Sequence, residues 1–332
     1  MSTYRIFGAE LSPYSVKVRS YFRYKGIPHQ WLAGGEHREE MAKFQKVPLI
    51  PVVVTPDGRG LQDSTPIIET LEAEFPEPSI HPGNAALAFL SALIEEFADE
   101  WAMKWMFHYR WSQAANIESA SQRIAQNMQP GLPADQQAAL ARQVAQRMTN
   151  RLWFVGSSAE TGPQIEASLA DALTRLEAHL QGRDYLFGAR PAFGDFGLAA
   201  EIYEVWSDPV GAEKLAAYPQ TEAWMRRMLD PGPPAGEFEP WANLEATLMP
   251  LLSEQVGGLF LPWIDANDKA IAAGEEEFRV KLRSGVWTQK PQKYNVRSLR
   301  ALRQRYAALD SAAHAELNPI LDRAGCLAWL KE

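Results

Sequence analysis

The sequence predicts a small α/β domain followed by a longer all-helical region. Three observations carry this. Short runs of strand-favouring residues alternate with helical stretches up to about residue 80; from Asn84 onward the β signal fades into windows of helical period; and 46% of the 332 residues are hydrophobic, enough for a sizeable core in each part.

Taken in order, residues 4 to 9 form a first strand, and Ser12-Pro13 opens a helix that runs to Gly26. Ser12 is a capping residue, Pro13 has its φ preset for a first turn, and Val16, Val18, Tyr21 and Phe22 supply an apolar face. Residues 29 to 32 predict a second strand and residues 36 to 46 a short charged helix. Residues 50 to 54 and 60 to 62, joined by Asp57-Gly58, predict an antiparallel hairpin. Asp63-Ser64 then precedes a helix that ends at Phe75-Pro76. The order βαβα-ββα is the thioredoxin-like arrangement, placed at residues 1 to 80.

The all-helical domain is placed at residues 84 to 332. Its expected helices are 84 to 111, 116 to 128, 134 to 153, 164 to 181, 194 to 206, 219 to 229, 241 to 255, 264 to 283, and 296 to 330 with a break near Asp310. Residues 231 to 236, Pro-Gly-Pro-Pro-Ala-Gly, exclude a continuing helix and set off residues 236 to 332 as an extension. Phe260, Trp263, Val286, Trp287 and Trp329 give that extension more apolar surface than a free module would expose, so it is expected to pack on the helical domain.

A net charge of −8 gives no basic footprint for nucleic acid. The single cysteine, Cys326, excludes an intrachain disulfide, a Cys-x-x-Cys redox pair and a cysteine-rich metal site, and six histidines without paired spacing predict no metal. Lacking any apolar run of about eighteen residues or a leader-like start, the chain reads as cytoplasmic, with no membrane partner.

Three local features can carry chemistry. Ser12 sits at a strand-to-helix junction, where unpaired N–H groups and the helix dipole stabilise an anion such as a thiolate; a plain cap by Ser12 or Ser15 is the alternative. A cis Ile50-Pro51 bond would turn the backbone of residue 50 outward to pair with an extended peptide; an ordinary trans proline, or Val47-Pro48 in its place, are the rivals. Asp63-Ser64 open another helix, where a carboxylate can meet the Ser64 hydroxyl and N–H groups and an ammonium can meet Asp63, or where either residue only caps.

The run from Tyr4 to Arg19, with Ser12-Pro13-Tyr14-Ser15 inside it, and Lys25-Gly26-Ile27-Pro28 resemble the start of glutathione transferases of the tau and omega kinds. Tyr185 to Phe196, Tyr218-Pro219 and Ala223 to Met228 resemble that family's helical domain. The likeness covers roughly residues 3 to 230. It implies glutathione as co-substrate, a small electrophile as partner, a homodimer and a detoxifying transferase. By position it implies that Ser12 holds the thiolate, that Ile50 and Pro51 pair with the tripeptide backbone, and that Asp63 and Ser64 hold its γ-glutamyl end. The omega kind has cysteine where Ser12 stands, which disfavours mixed-disulfide chemistry here.

Where the family often has a basic residue for the glycyl carboxylate, Glu36 stands, leaving His37, Arg38 or Lys46. Ala192 replaces the usual capping Ser or Thr of the helical signature, so Asp195 is expected to take part of that role. Trp101, Trp105 and Tyr109 recur every four residues; they are core aromatics or, with Tyr14, the wall of an electrophile pocket, since this helix faces the thiol site in the family. His108 and Cys326 read as packed residues, and the basic run from Arg279 to Arg305 as a solvated or Glu275–Glu277-paired face. Two other functions stay open: a binding or scaffold protein with a vestigial site, and a glutathione-dependent peroxidase or reductase.

Overall fold

The computed structural model describes residues 3–331. Five elements build the first sheet and its flanks: β1 (Tyr4–Gly8), α1 (Pro13–Tyr24), β2 (His29–Ala33), α2 (Arg38–Ala42) and β3 (Val52–Val54). β4 (Gly60–Gln62) and α3 (Ser64–Glu74) complete the unit. The strands lie in the order β2-β1-β3-β4, β1 parallel to β2 and antiparallel to β3, with Ile6 opposite both Trp31 and Val53. Period-2 alternation sorts the side chains. Ile6 and Val53 join the main core under α1 and α3, while Phe7, Val52 and Val54 pack against Met41 of α2 on the other face. This is the expected thioredoxin-like fold.

The rest is mostly helical. α4 (Ala85–Phe97) continues through a π-helical turn at Ala98–Ala102 into α5 (Met103–Ser112). α6 (Ala114–Met128), α7 (Ala134–Thr149), α8 (Gly162–His179) and α9 (Phe193–Trp206) follow, then α10 (Pro209–Leu215), a short helix absent from the sequence reading, and α11 (Pro219–Leu229). α9 lies at the centre, buried along nearly its whole length against α1, α4 and α5. Its cap answers the Ala192 substitution: the Asp195 carboxylate accepts from the Ala192 N–H at 2.9 Å, from the Leu186 N–H at 2.8 Å and from the Trp224 indole at 2.8 Å.

Two corrections fall after Pro240. The expected helices 241 to 255 and 264 to 283 are one continuous helix and a hairpin. α12 (Trp241–Leu251) runs through a second π-helical stretch, Leu252–Phe260, into α13 (Leu261–Ala273). Gly274, at φ 70°, then ends the helix, and β5 (Phe278–Leu282) pairs antiparallel with β6 (Gly285–Gln289). Phe278, Leu282, Trp287 and Gln289 point inward and Arg279, Lys281 and Arg283 outward, an alternation that the charges disguise. α14 (Val296–Ala307), α15 (Ser311–Arg323) and α16 (Leu327–Leu330) finish the chain, broken near Asp310 as expected.

Trp263, Trp287, Leu302 and Leu321 belong to the same apolar cluster as Ile6, Leu93 and Trp105, so the last ninety or so residues share the core. Within the basic run Arg283, Arg300, Arg303 and Arg305 pair with Glu254, Asp268, Asp265 and Glu69, while Arg279 and Lys281 lie on an exposed face. Cys326 is fully buried, and burial pushes its thiol well above the ordinary range. No helix among the described residues is long and apolar enough to cross a membrane.

Candidate active site

The β1-to-α1 junction is tightly built. Gly8 has to be glycine: a Cβ there would lie 2.6 Å from the Trp31 ring and 2.9 Å from Ser15 Cβ. Ser12 is the N-cap of α1, in extended conformation with Pro13 at the first helical position. Its Oγ accepts from the Ser15 N–H at 3.3 Å and the Ser15 hydroxyl at 3.0 Å. Two lone pairs are thereby engaged and the hydroxyl hydrogen is left to be donated. Arg110, 2% exposed, donates to the Leu11 carbonyl at 3.2 Å and fixes the loop from the helical side.

The Ile50-Pro51 peptide is cis. The loop before it is held chiefly by Gln62, whose Nε2 donates to the Val47 and Leu49 carbonyls at 2.7 Å each and whose Oε1 accepts from the Lys46 and Val47 N–H groups, with the Gln45 amide donating to Leu49 as well at 3.1 Å. Ile50 stays half-buried and Pro51 buried. Asp63 has φ 80°, the sole non-glycine residue in the left-handed region among those described, and Ser64 begins α3 directly after it.

Lys17 brings the two helix starts together. It is 1% exposed; its ammonium donates to Ser64 Oγ at 3.3 Å, Thr65 Oγ1 at 3.2 Å, Asp99 Oδ2 at 2.7 Å and the Glu95 carboxylate. The Ser64 hydroxyl, 2% exposed, in turn donates to Asp99 at 3.3 Å. Asp63 is reached instead by the chain's far end: the Tyr294 hydroxyl donates to its Oδ2 at 2.8 Å, and the Arg297 guanidinium lies 3.6 Å from the same oxygen.

The remaining expected residues part company. Tyr14 stays at the site, its hydroxyl donating to the Asp99 carbonyl at 2.9 Å. His37 starts α2 without a capping bond, its ring edge-on to Phe7. Trp101 and Trp105 are 1% and 0% exposed, and both indoles donate to Ser168 Oγ, at 3.0 and 2.9 Å. Trp101 also packs on Trp263 and Trp287, and Tyr109 is buried beside His108. These aromatics are held by the helical core and the extension. His108 is a satisfied polar residue between Ser157 and Glu166.

Charges the sequence reading did not single out surround the site. Arg110 pairs with Glu204 at 2.7 Å and Asp208 at 2.6 Å. Burial raises Glu95 and Asp99 above the ordinary carboxylate range, a rise that Lys17 opposes. Burial, with Asp99 beside it, pushes Glu100 up to about 8, and burial lowers Lys104 to about 7. Lys104 stands 3.6 Å over the Trp263 ring. Spacing could not reveal these groups, since Lys17 and Asp99 are 82 residues apart. Among the described residues no group of acidic, His or Cys side chains could hold a metal ion.

The glutathione S-transferase N-terminal domain matches residues 6–79, and the glutathione S-transferase C-terminal domain matches residues 137–227. The chain belongs to the glutathione S-transferase family. Similar solved structures include a glutathione S-transferase from Rhodospirillum rubrum F11, at 19% identity and TM-score 0.43 over 73% of this chain and 99% of that one. A glutathione S-transferase from Methylobacterium radiotolerans JCM 2831, solved with glutathione sulfonate, is 20% identical at TM-score 0.41, over 72% of this chain and 98% of its own. The beta-etherase of Sphingobium sp. strain SYK-6 is 19% identical at TM-score 0.45, over 74% and 98%. No curated protein sequence matches the chain.

Proposed function

We propose that the protein is a serine-type glutathione transferase that joins the glutathione sulfur to a small apolar electrophile. The observation that carries this reading is Ser12: an N-cap hydroxyl whose acceptor sites are engaged by Ser15 and whose hydrogen remains to be given to a thiolate at the positive end of α1. Such a donor lowers the pKa of the bound thiol, so the thiol proton leaves to solvent and a nucleophile is present at neutral pH. The thiolate then forms a C–S bond as the electrophile's leaving group departs or its double bond takes the electron pair. The Ile50 backbone at the cis bond supports strand-like pairing with the tripeptide, and Asp63 and the α3 start support binding of its γ-glutamyl end. Family membership supports glutathione as the co-substrate; a homodimer follows the same resemblance and is checked by light scattering.

Calorimetry with glutathione, followed by turnover on aryl halides and hydroperoxides, tests the reading. Binding with aryl-halide conjugation sustains it, and hydroperoxide turnover alone moves it to a peroxidase. The second reading, a binding protein with a vestigial site, is favoured by the Ser64 hydroxyl being buried and committed to Lys17 and Asp99. Absence of glutathione binding would establish that reading over the first.

A further inference from the structure

Asp63 and Arg297 form a loose pair at the junction of the first and last parts of the chain. Their closest approach is 3.6 Å, and the side chains are 28% and 68% exposed. At that distance and exposure, neither charge is used up by the other. Tyr294 lies between them in effect: its hydroxyl bonds Asp63 Oδ2 at 2.8 Å and its ring receives the Arg297 guanidinium at 5.6 Å. Both contacts on Asp63 fall on Oδ2, which leaves Oδ1 for a cation. Arg297 keeps outward N–H groups suited to a carboxylate. A carboxylate and a guanidinium a few ångströms apart, both reachable from solvent, are complementary to a group carrying an ammonium and a carboxylate on one carbon.

The Ser64 hydroxyl, the other side chain at this helix start, is turned into the protein. It is 2% exposed and bonded to Lys17 and Asp99. A carboxylate arriving at the start of α3 therefore finds backbone N–H groups but not the Ser64 hydroxyl, and the exposed cation beside Asp63 is Arg297, in the first turn of α14. That helix start adds its own partial positive charge on the same side.

We propose that Arg297, supplied by the C-terminal extension, recognises the α-carboxylate of the γ-glutamyl group while Asp63 receives its α-ammonium. The inference rests on the reading of the chain as a glutathione-binding transferase. It makes the extension part of the co-substrate site and sets a requirement for an intact amino-acid end on the ligand.

The test is a cycle of ligand and residue changes measured by calorimetry. Glutathione is compared with 4-aminobutyryl-Cys-Gly, which lacks the α-carboxylate, on the full-length wild-type chain and on Arg297→Gln. The wild-type chain is expected to bind glutathione about 5- to 20-fold more tightly than the analogue, the lower part of the range for a charge-assisted contact at an exposed guanidinium. Arg297→Gln is expected to lose that preference to within about twofold, and Arg297→Lys to recover part of it. Thermal melting of both variants checks that they are folded, and the comparison of the two ligands on the wild type needs no variant at all. Wild-type binding of glutathione that is unchanged or tighter in Arg297→Gln overturns this inference alone; tighter binding would mean that Arg297 competes for Asp63. A wild-type chain that binds no glutathione overturns this inference and the transferase reading together.

Discussion

The Lys17 ammonium lies 2.7 Å from the Asp99 carboxylate, across the boundary between α1 and the helix that opens the second part of the chain. Lys17 is 1% exposed, so the contact is shielded from solvent and salt, and its hydrogen bonds extend to Ser64, Thr65 and Glu95. The same ammonium that ties α3 to α1 through Ser64 and Thr65 also neutralises part of a buried acidic group.

Replacing Lys17 by Met should destabilise the protein by about 3 to 5 kcal/mol, because Glu95 and Asp99 lose their buried partner. Chemical denaturation measures this. A loss under about 1 kcal/mol would mean that the carboxyls accommodate by taking up protons, and that Lys17 matters little to the fold.

Ser12→Ala should leave the fold intact and lower turnover at saturating glutathione by about 10- to 100-fold, the worth of one hydrogen bond to a charged sulfur. The pKa of bound glutathione, followed by thiolate absorbance, should rise by about one to two units. Unchanged turnover with an unchanged thiol pKa would remove Ser12 from the chemistry and make Ser15 the next residue to test.

Stability should fall as pH rises from about 5 to 8. Glu100 is pushed up to about 8 from 4.5 and Asp195 to about 7 from 3.8, in both cases chiefly by burial. The native chain therefore holds protons that the unfolded chain has already released in this window, and the stability they confer is full below the unfolded pKa and lost as pH climbs through the folded one. His179, which burial lowers to about 4, acts in the opposite sense below about pH 6.5, and Lys104, lowered to about 7, does so above that value. Melting temperatures across the range check the slope, and Glu100→Gln should flatten it; a stability that rises steadily from pH 5 to 8 would contradict the assignment.

Ending the chain after Asp230 should give a poorly soluble or strongly destabilised product. It would uncover Trp101, which packs on Trp263 and Trp287, and strip Gln255 from Ser168, to which it is bonded at 2.7 Å. Soluble yield and melting of the truncated chain are the measurements. A soluble fragment as heat-stable as the whole would show that residues 236 to 332 add nothing to the core's stability.

What the sequence disclosed was local. Ser12-Pro13, Ile50-Pro51 and Asp63-Ser64 are adjacent residues whose backbone preferences mark helix starts and a turn, and the elements around them lie where those preferences place them. What it withheld was contact between distant residues. Asp63 and Tyr294 are 231 positions apart, and Arg110 and Asp208 are 98 apart; a charged residue on a helix gives no sign of its partner. The four-residue recurrence of Trp101 and Trp105 was legible as an apolar face, but what covers that face depends on Ser168 and Gln255. The hairpin at Phe278–Gln289 was hidden because Arg279, Lys281 and Arg283 supply the outward half of its alternation and read equally well as a charged helix.

The π-helical turn at Ala98–Ala102 makes the phase between the two halves of the helix, more than side-chain identity, the quantity that must be preserved there. An i-to-i+5 turn absorbs one residue beyond the ordinary helical count, which offsets the two halves of this helix in phase by about 100°. Glu95 before it can thus face Lys17 while Lys104 and Trp105 after it face Trp263 and Ser168. Straightening this segment to a regular helix of the same length would rotate everything downstream by that angle, carrying a charge into the apolar face and an indole toward the paired acids, whereas removing one residue would relax the turn and leave the downstream phase as it is. Point changes at Ala98 or Ala102 alter volume only, so this stretch should accept exchanges of similar size and the loss of one residue, yet reject an insertion.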